Sequence, residues 1–297
     1  MKQGIIALLA IMLFVAADEV LAHPGSGIVV DRLGNVYFVD TGSGVWKIEH
    51  NGQLTRLSGP AYHWMAIDLD DRLANVKLPY FSSGDATVSR VGGDPTLLLS
   101  SDFPVTVGSD GSLYYPWLFD GKQLRIFRHS PAGTTTILKT LPANTENGPL
   151  RWLNGLAMGP DGSLYYTENK AIRRINPQGE LATFVDNVTL ARCDSVPEVG
   201  AHLGSYFRRL DVDADGSIYV AVTGCRAVLK ITPDKKVTTV LRASGPWSPT
   251  GVAVFGSDVY VLEYFHTPGD NRREWLPRVR KVTSDGSVVT VANIDRQ

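Results

Sequence analysis

At 297 residues the chain is long enough for one large single-core architecture or two ordinary domains. Its formal net charge of -1 and pI near 6.6 leave no basic footprint, which excludes nucleic acid as a partner class. In chain order, Lys2 supplies a positive start and residues 4–17 (GIIALLAIMLFVAA) form an apolar run too short to span a bilayer comfortably. Val20 and Ala22 then satisfy the small-residue rule for signal cleavage, and a second acceptable site follows Ala17, which would leave Asp18 first. We therefore expect residues 1–22 to be a secretory signal peptide and 23–297 a single domain, secreted or periplasmic. No later stretch approaches the ~20 apolar residues of a membrane helix, so no span is expected once the signal is removed.

After the signal the sequence repeats itself. GIVVDRLGNVYFVDTGSGVWKIEHNGQLTRL from Gly27 holds four short runs of strand-forming residues separated by Gly, Asp and Asn turns. Two weaker copies follow, HWMAIDLDDRL onward from His63 and FPVTVGSDGSLYYPWLF onward from Phe103. The layout then returns in NGLAMGPDGSLYYTENKAIRRINPQGELATFV from Asn154 and in RLDVDADGSIYVAVTGCRAVLKITPDKKVTTVL from Arg209. A last copy runs from GVAVFGSDVYVLEYF to RVRKVTSDGSVVTVANI. The positions just before each first strand are Ser26, His63, Phe103, Asn154, Arg208 and Thr250, at intervals of 37, 40, 51, 54 and 42 residues. Each unit is four strands with tight D-G or related turns between the first two, and none contains a helical period. Such units make propeller blades, so the fold class expected is all-β: a six-bladed β-propeller with four antiparallel strands per blade. The first unit begins with its innermost strand and the last ends with its outermost, VVTVANI. No strand is left to share, so the ring is expected to close by face packing between blades one and six.

The units GLAMGPDGSLYYTE…IRRINPQGE and LDVDADGSIYVA…VLKITPDKK resemble NHL repeats, and equally the blades of the gluconolactonase and senescence-marker-protein family. The resemblance covers essentially all of the chain after residue 24. It implies the propeller fold, whereas the functions hosted on such folds range from lactonases and lyases to pure binding modules. The metal-dependent lactonases of that family hold a divalent cation with a Glu before the first inner strand, an Asn in an NG pair and an Asp before the next inner strand. Asn154 fits the second of these, but Ser26 stands at the Glu position and Arg208 at the Asp position. A guanidinium opposes a hard cation, so the calcium-type lactonase site is expected to be incomplete.

Propeller geometry places the loops that lead into the inner strands, and the second-to-third strand loops, on one face, here called the top. The top loops are long and varied, and the D-G turns at the bottom are short, which marks the top as the binding face. His63, Asn154 and Arg208 fall at the channel mouth, together with His202 and His266 in two long loops, Trp152 beside Asn154, and His23 ahead of the first strand. We assign His63 and Arg208 as candidate base and anion clamp, and Asn154, His202, His266 and Trp152 as candidate ligand contacts. If cleavage follows Ala22, His23 offers a ring and an α-amine, so His23 and His63 form a speculative pair for a softer divalent metal; the alternative is a flexible N-terminus. Cys193 and Cys225 are the full cysteine inventory, and in an oxidising compartment they are expected to form one disulfide pinning the longest top loop. Asp40, Glu168 and Glu263 close second strands in equivalent positions and are expected to bond the backbone of the following turn. No nucleophile elbow, HExxH, P-loop or dinucleotide fingerprint is present.

Two functional readings follow. The first is an exported, monomeric propeller that binds a small anionic ligand at the top mouth, with hydrolase (lactonase-like) or lyase activity there. The second is a non-catalytic NHL-type module whose top loops hold a protein or glycan. A broad face with exposed Trp64, Trp152, Trp247 or Trp275 would favour the second.

Overall fold

The computed structural model describes residues 24–59, 62–79, 88–91, 94–119, 123–142, 153–188, 207–265 and 276–295. The first sheet is β1 (Ile28–Val30), β2 (Val36–Asp40), β3 (Gly44–Ile48) and β4 (Leu54–Ser58), hydrogen-bonded in that order. The second holds β5 (Trp64–Asp68), β6 (Val88–Val91) and β7 (Thr96–Ser100). The third is β8 (Thr106–Val107), β9 (Leu113–Phe119), β10 (Gln123–His129) and β11 (Thr135–Thr140). The fourth is β12 (Leu156–Met158), β13 (Leu164–Glu168), β14 (Ala171–Ile175) and β15 (Leu181–Val185). The fifth is β16 (Phe207–Val212), β17 (Ile218–Val222), β18 (Ala227–Ile231) and β19 (Val237–Arg242). The sixth is β20 (Trp247–Phe255), β21 (Asp258–Phe265), β22 (Pro277–Val282) and β23 (Val288–Asn293). The inner strands touch in the cyclic order β1, β5, β8, β12, β16, β20 and back to β1, which closes a six-bladed antiparallel propeller.

Each seam between neighbouring blades has its own apolar cluster, because alternate residues of a strand face opposite neighbours. In β21, Tyr260, Leu262 and Tyr264 pack toward blade 1, while Val259 and Val261 pack toward blade 5. In β2, Phe38 faces blade 6, and Tyr37 and Val39 face blade 2. Burying one such side chain is worth about 1.5–3 kcal/mol. Burial falls from hub to rim: β2, β13 and β17 are buried throughout, whereas β11 and β19 are mostly exposed. The rim strands carry Thr, Lys and Arg, side chains that discourage edge-to-edge pairing.

Ring closure matches the expectation of a propeller with no shared strand. The seam between blades 1 and 6 is filled by Ile28, Phe38, Leu262, Tyr264 and Val279. Two hydrogen bonds cross it: Thr250 Oγ1 donates to Gly25 O (2.6 Å) and Tyr264 Oη donates to Val39 O (2.9 Å).

The D-G turns are braced as scaffold. Asp110, Asp161 and Asp213 each accept a backbone N–H from a serine further along the turn, at 2.9, 3.0 and 2.8 Å. A third-strand cation locks each one, namely Arg128 at 2.7 Å, Arg174 at 2.5 Å and Lys230 at 3.4 Å. Gly111, Gly162 and Gly216 supply the positive φ these turns require.

Blade 2 departs from the expected meander. Its order is β5-β7-β6, with three strands among the described residues. Asp68 accepts from the Leu73 N–H at 2.6 Å, and Arg90 donates to both Leu73 O and Val76 O at 2.6 Å. The Leu73–Val76 stretch is thereby held on the blade 2–3 seam by its side chains and by Arg90, and β7 takes the place beside β5.

Candidate functional site at the channel mouth

The six positions that precede the inner strands divide cleanly. Phe103 is buried between blades 2 and 3 against Tyr115 and Trp117. Ser26 and Thr250 are buried as well, Thr250 being held by Gly25. His63, Asn154 and Arg208 are the partly exposed members, and they are the three singled out from the sequence.

Local backbone brings their segments together. The Ser26 and Gly27 N–H groups both donate to His63 O, at 2.8 and 2.9 Å, so blade 1 sits directly on the His63 backbone. Gly155, next to Asn154, lies so close to blade 5 that a Cβ there would stand 2.5 Å from Arg208 O. The Thr167 hydroxyl donates to the same Arg208 oxygen at 3.2 Å.

Blade 5 adds a residue the sequence reading passed over. The β16–β17 register shifts between Phe207 and Leu210, so Arg208 and Arg209 form a β-bulge on the inner strand. Phe207 and Leu210 both pack into the blade 4–5 core. Arg209 Nη1 donates to Met65 O at 2.8 Å. Met65 belongs to β5 and Arg209 to β16, strands opposite one another in the ring, so this side chain crosses the propeller axis. Arg209 is only 7% exposed, and burial pulls its guanidinium down to about 10, with Asp211 opposing. Burial lowers Arg208 too. Asp211 is pushed up by burial; its oxygens accept the N–H groups of Val212 (2.9 Å) and Val254 (2.8 Å). Neither arginine touches a carboxylate among the described residues. The available signal was the RR pair inside an apolar strand pattern, FRRLDV, where one buried cation is costly and two adjacent ones call for a bulge.

Several expectations need correction. Among the described residues Glu168 and Glu263 meet third-strand arginines and not turn backbone: Glu168 Oε2 accepts from Arg173 Nε at 3.1 Å and Glu263 Oε2 from Arg278 Nε at 2.6 Å. Third-strand arginines reach them because longer carboxylates extend past the turn. Asp40, one methylene shorter, does bond the turn, at Gly42 N (3.2 Å) and the Ser43 hydroxyl. The expected Cys193–Cys225 bridge over the mouth is not retained as a feature of the site. Cys225 is not a free thiol; it sits in the turn between β17 and β18, buried against the blade 4–5 core, and no sulfur–sulfur contact lies among the described residues. Cys193 lies outside the described residues, as do His23, His202, His266, Trp152 and Trp275.

The donor set does not suit the cation that the lactonase resemblance implies. Ser26 and Arg208 replace two acidic ligands, Arg209 adds a second guanidinium, and no group of three His, Cys, Asp or Glu side chains could hold a metal among the described residues. Trp64 is buried, and Trp247 is half-buried between Phe265, edge-on at 5.3 Å, and Arg278, 3.9 Å over its ring. Neither offers a flat exposed aromatic surface. Among the described residues no helix is long and apolar enough to cross a membrane.

No protein-family model and no curated protein matches the chain. Many solved structures share its fold. A gluconolactonase from Xanthomonas campestris superposes with TM-score 0.53 at 13% identity, over 84% of this chain and 86% of that one. A luciferin-regenerating enzyme gives TM-score 0.53 at 14% identity, over 88% and 91%. The PQQ-bound aldose sugar dehydrogenase of Streptomyces coelicolor gives 0.52 at 13%, over 88% and 94%. At such identities the likeness is one of fold, and the fold these comparisons and the blade topology show is the six-bladed β-propeller.

Proposed function

We propose that the protein is an exported propeller that binds a small organic anion at the top mouth of its channel and acts there as a hydrolase or lyase. Arg208 clamps the anion, Asn154 donates to it, and His63 is the base. One observation carries this reading: two adjacent guanidinium groups stand at the hub with no carboxylate of the described residues touching them. A desolvated arginine without an ion-pair partner suits a carboxylate or phosphate. Export rests on Lys2, the apolar run 4–17 and the small residues before His23. Hydrolase chemistry draws support from the gluconolactonase among the structures of like fold. The buried state of Trp64 and the packed state of Trp247 favour a small ligand over a protein or glycan partner.

The test is thermal unfolding of the mature protein with and without carboxylates such as gluconate and citrate. The expected result is a rise in Tm that Arg208→Gln removes; no rise with any carboxylate would overturn the binding reading. For catalysis, His63→Ala should abolish turnover of an aldonolactone, and full turnover by that variant would remove His63 as the base.

A further inference from the structure

We propose that Arg209 is the floor of this mouth and grips the ligand's carboxylate from below while Arg208 clamps it at the rim, so that the channel is a blind pocket entered from the top face. This inference deepens the reading of the mouth as an anion site and rests on it.

The geometry is specific. Arg209 Nη1 is committed to Met65 O across the axis at 2.8 Å, which fixes the guanidinium plane in the middle of the ring. Nε is buried and has no hydrogen-bond partner among the described residues. With Nη1 occupied, the edge formed by Nε and Nη2 is the one left to face a ligand, and that edge grips a carboxylate with two parallel hydrogen bonds. Asp211, the nearby carboxylate, is engaged by two backbone N–H groups and forms no ion pair with Arg209. Ser26 Oγ is likewise buried with no hydrogen-bond partner among the described residues, on a backbone bonded to His63 two residues from Met65. A structure that keeps a guanidinium Nε and a hydroxyl buried without a hydrogen-bond partner among the described residues bears a desolvation cost that an incoming anion relieves. The ligand class that fits is a hydroxylated organic acid, its carboxylate on Arg209 and a hydroxyl toward Ser26.

The test is NMR of the 15N-labelled mature chain, following the Nε–Hε resonances of Arg209 and Arg208, each assigned through the corresponding Arg→Lys variant. Sodium gluconate, sorbitol and sodium chloride are titrated in parallel. The expected result is a saturable shift of the Arg209 resonance with gluconate alone, and affinity about tenfold weaker in Arg209→Lys, the size of one charge-assisted hydrogen bond lost. A shift at Arg208 with none at Arg209 would overturn the floor while leaving the mouth as an anion site. No shift at either arginine would overturn both. The Arg209 Nε–Hε resonance is also assigned through-bond from its own backbone in 13C,15N-labelled wild-type protein, so the wild-type titration decides the matter even if Arg209→Lys fails to fold.

Discussion

The hydroxyl of Tyr264, in the last blade, donates to the backbone carbonyl of Val39, in the first, at 2.9 Å. Both residues are buried, and Gly25 is wedged between them, where a Cβ would stand 2.6 Å from the Val39 side chain. This bond spans the seam at which the two ends of the chain meet. Tyr264→Phe should cost about 1–3 kcal/mol, because it orphans a buried carbonyl without changing the packing. Denaturant unfolding checks it, and a loss near zero would mean that the seam is held by apolar contact alone.

The Glu263–Arg278 pair yields a prediction with a sign in pH. Burial raises the Glu263 carboxyl above its ordinary value of 4.5, with Arg278 opposing. A carboxyl raised in the folded state favours folding most below its unfolded value and loses that contribution as pH climbs through the folded value. Wild-type stability relative to Glu263→Gln should therefore decline as pH rises from about 4.5 toward neutrality. Paired denaturation curves at pH 4 and pH 8 measure this, and an advantage that grows with pH would refute it. Arg278→Met, which strands a buried carboxylate, should cost about 3 kcal/mol at pH 8.

Gly155 couples packing to the site. A methyl group there would stand 2.5 Å from Arg208 O and 3.0 Å from Arg209 Cα, so the blade 5 bulge must move to admit it. Gly155→Ala should destabilise the fold by about 1–3 kcal/mol. It should also weaken carboxylate binding more than Tyr264→Phe does at comparable stability, as calorimetric titration of both variants would reveal.

The turn braces should be unequal. Arg174 and Asp161 meet where both side chains are about two-fifths exposed (39% and 43%), so Arg174→Ala should cost under about 1 kcal/mol. Asp161 also holds the Ser163 N–H and hydroxyl, so Asp161→Ala should cost about 1–2 kcal/mol. Equal losses in the two variants would show that the ion pair, and not the turn, carries the effect.

Much of this molecule was legible before any coordinates. The spacing of Ser26, His63, Phe103, Asn154, Arg208 and Thr250 marked the starts of the inner strands, since turn chemistry and alternation recur in every blade but the second. Blade 2 resisted because its pairing depends on Arg90 reaching back to Leu73 and Val76, a tertiary contact without a local pattern. Glu168 and Glu263 were misassigned because their partners lie on the adjacent strand rather than in the next turn. Arg209 was missed because strict alternation sends it into the core beside Phe207, and only the bulge turns it to the axis. Cys225 does lie in the loop between β17 and β18, as its place after a second strand indicates, but the sequence did not show that this short turn, Thr223–Cys225, is buried.

Every sheet is assembled from strands consecutive in sequence, and none borrows from the opposite end of the chain. A propeller with a shared blade must leave its first strand waiting until the last has been made. Here each blade has all its own strands in hand as soon as its stretch of polypeptide emerges. For a chain made from its N-terminus, that ordering lets folding keep pace with synthesis. Only the clasp between Val39 and Tyr264 is left for the end.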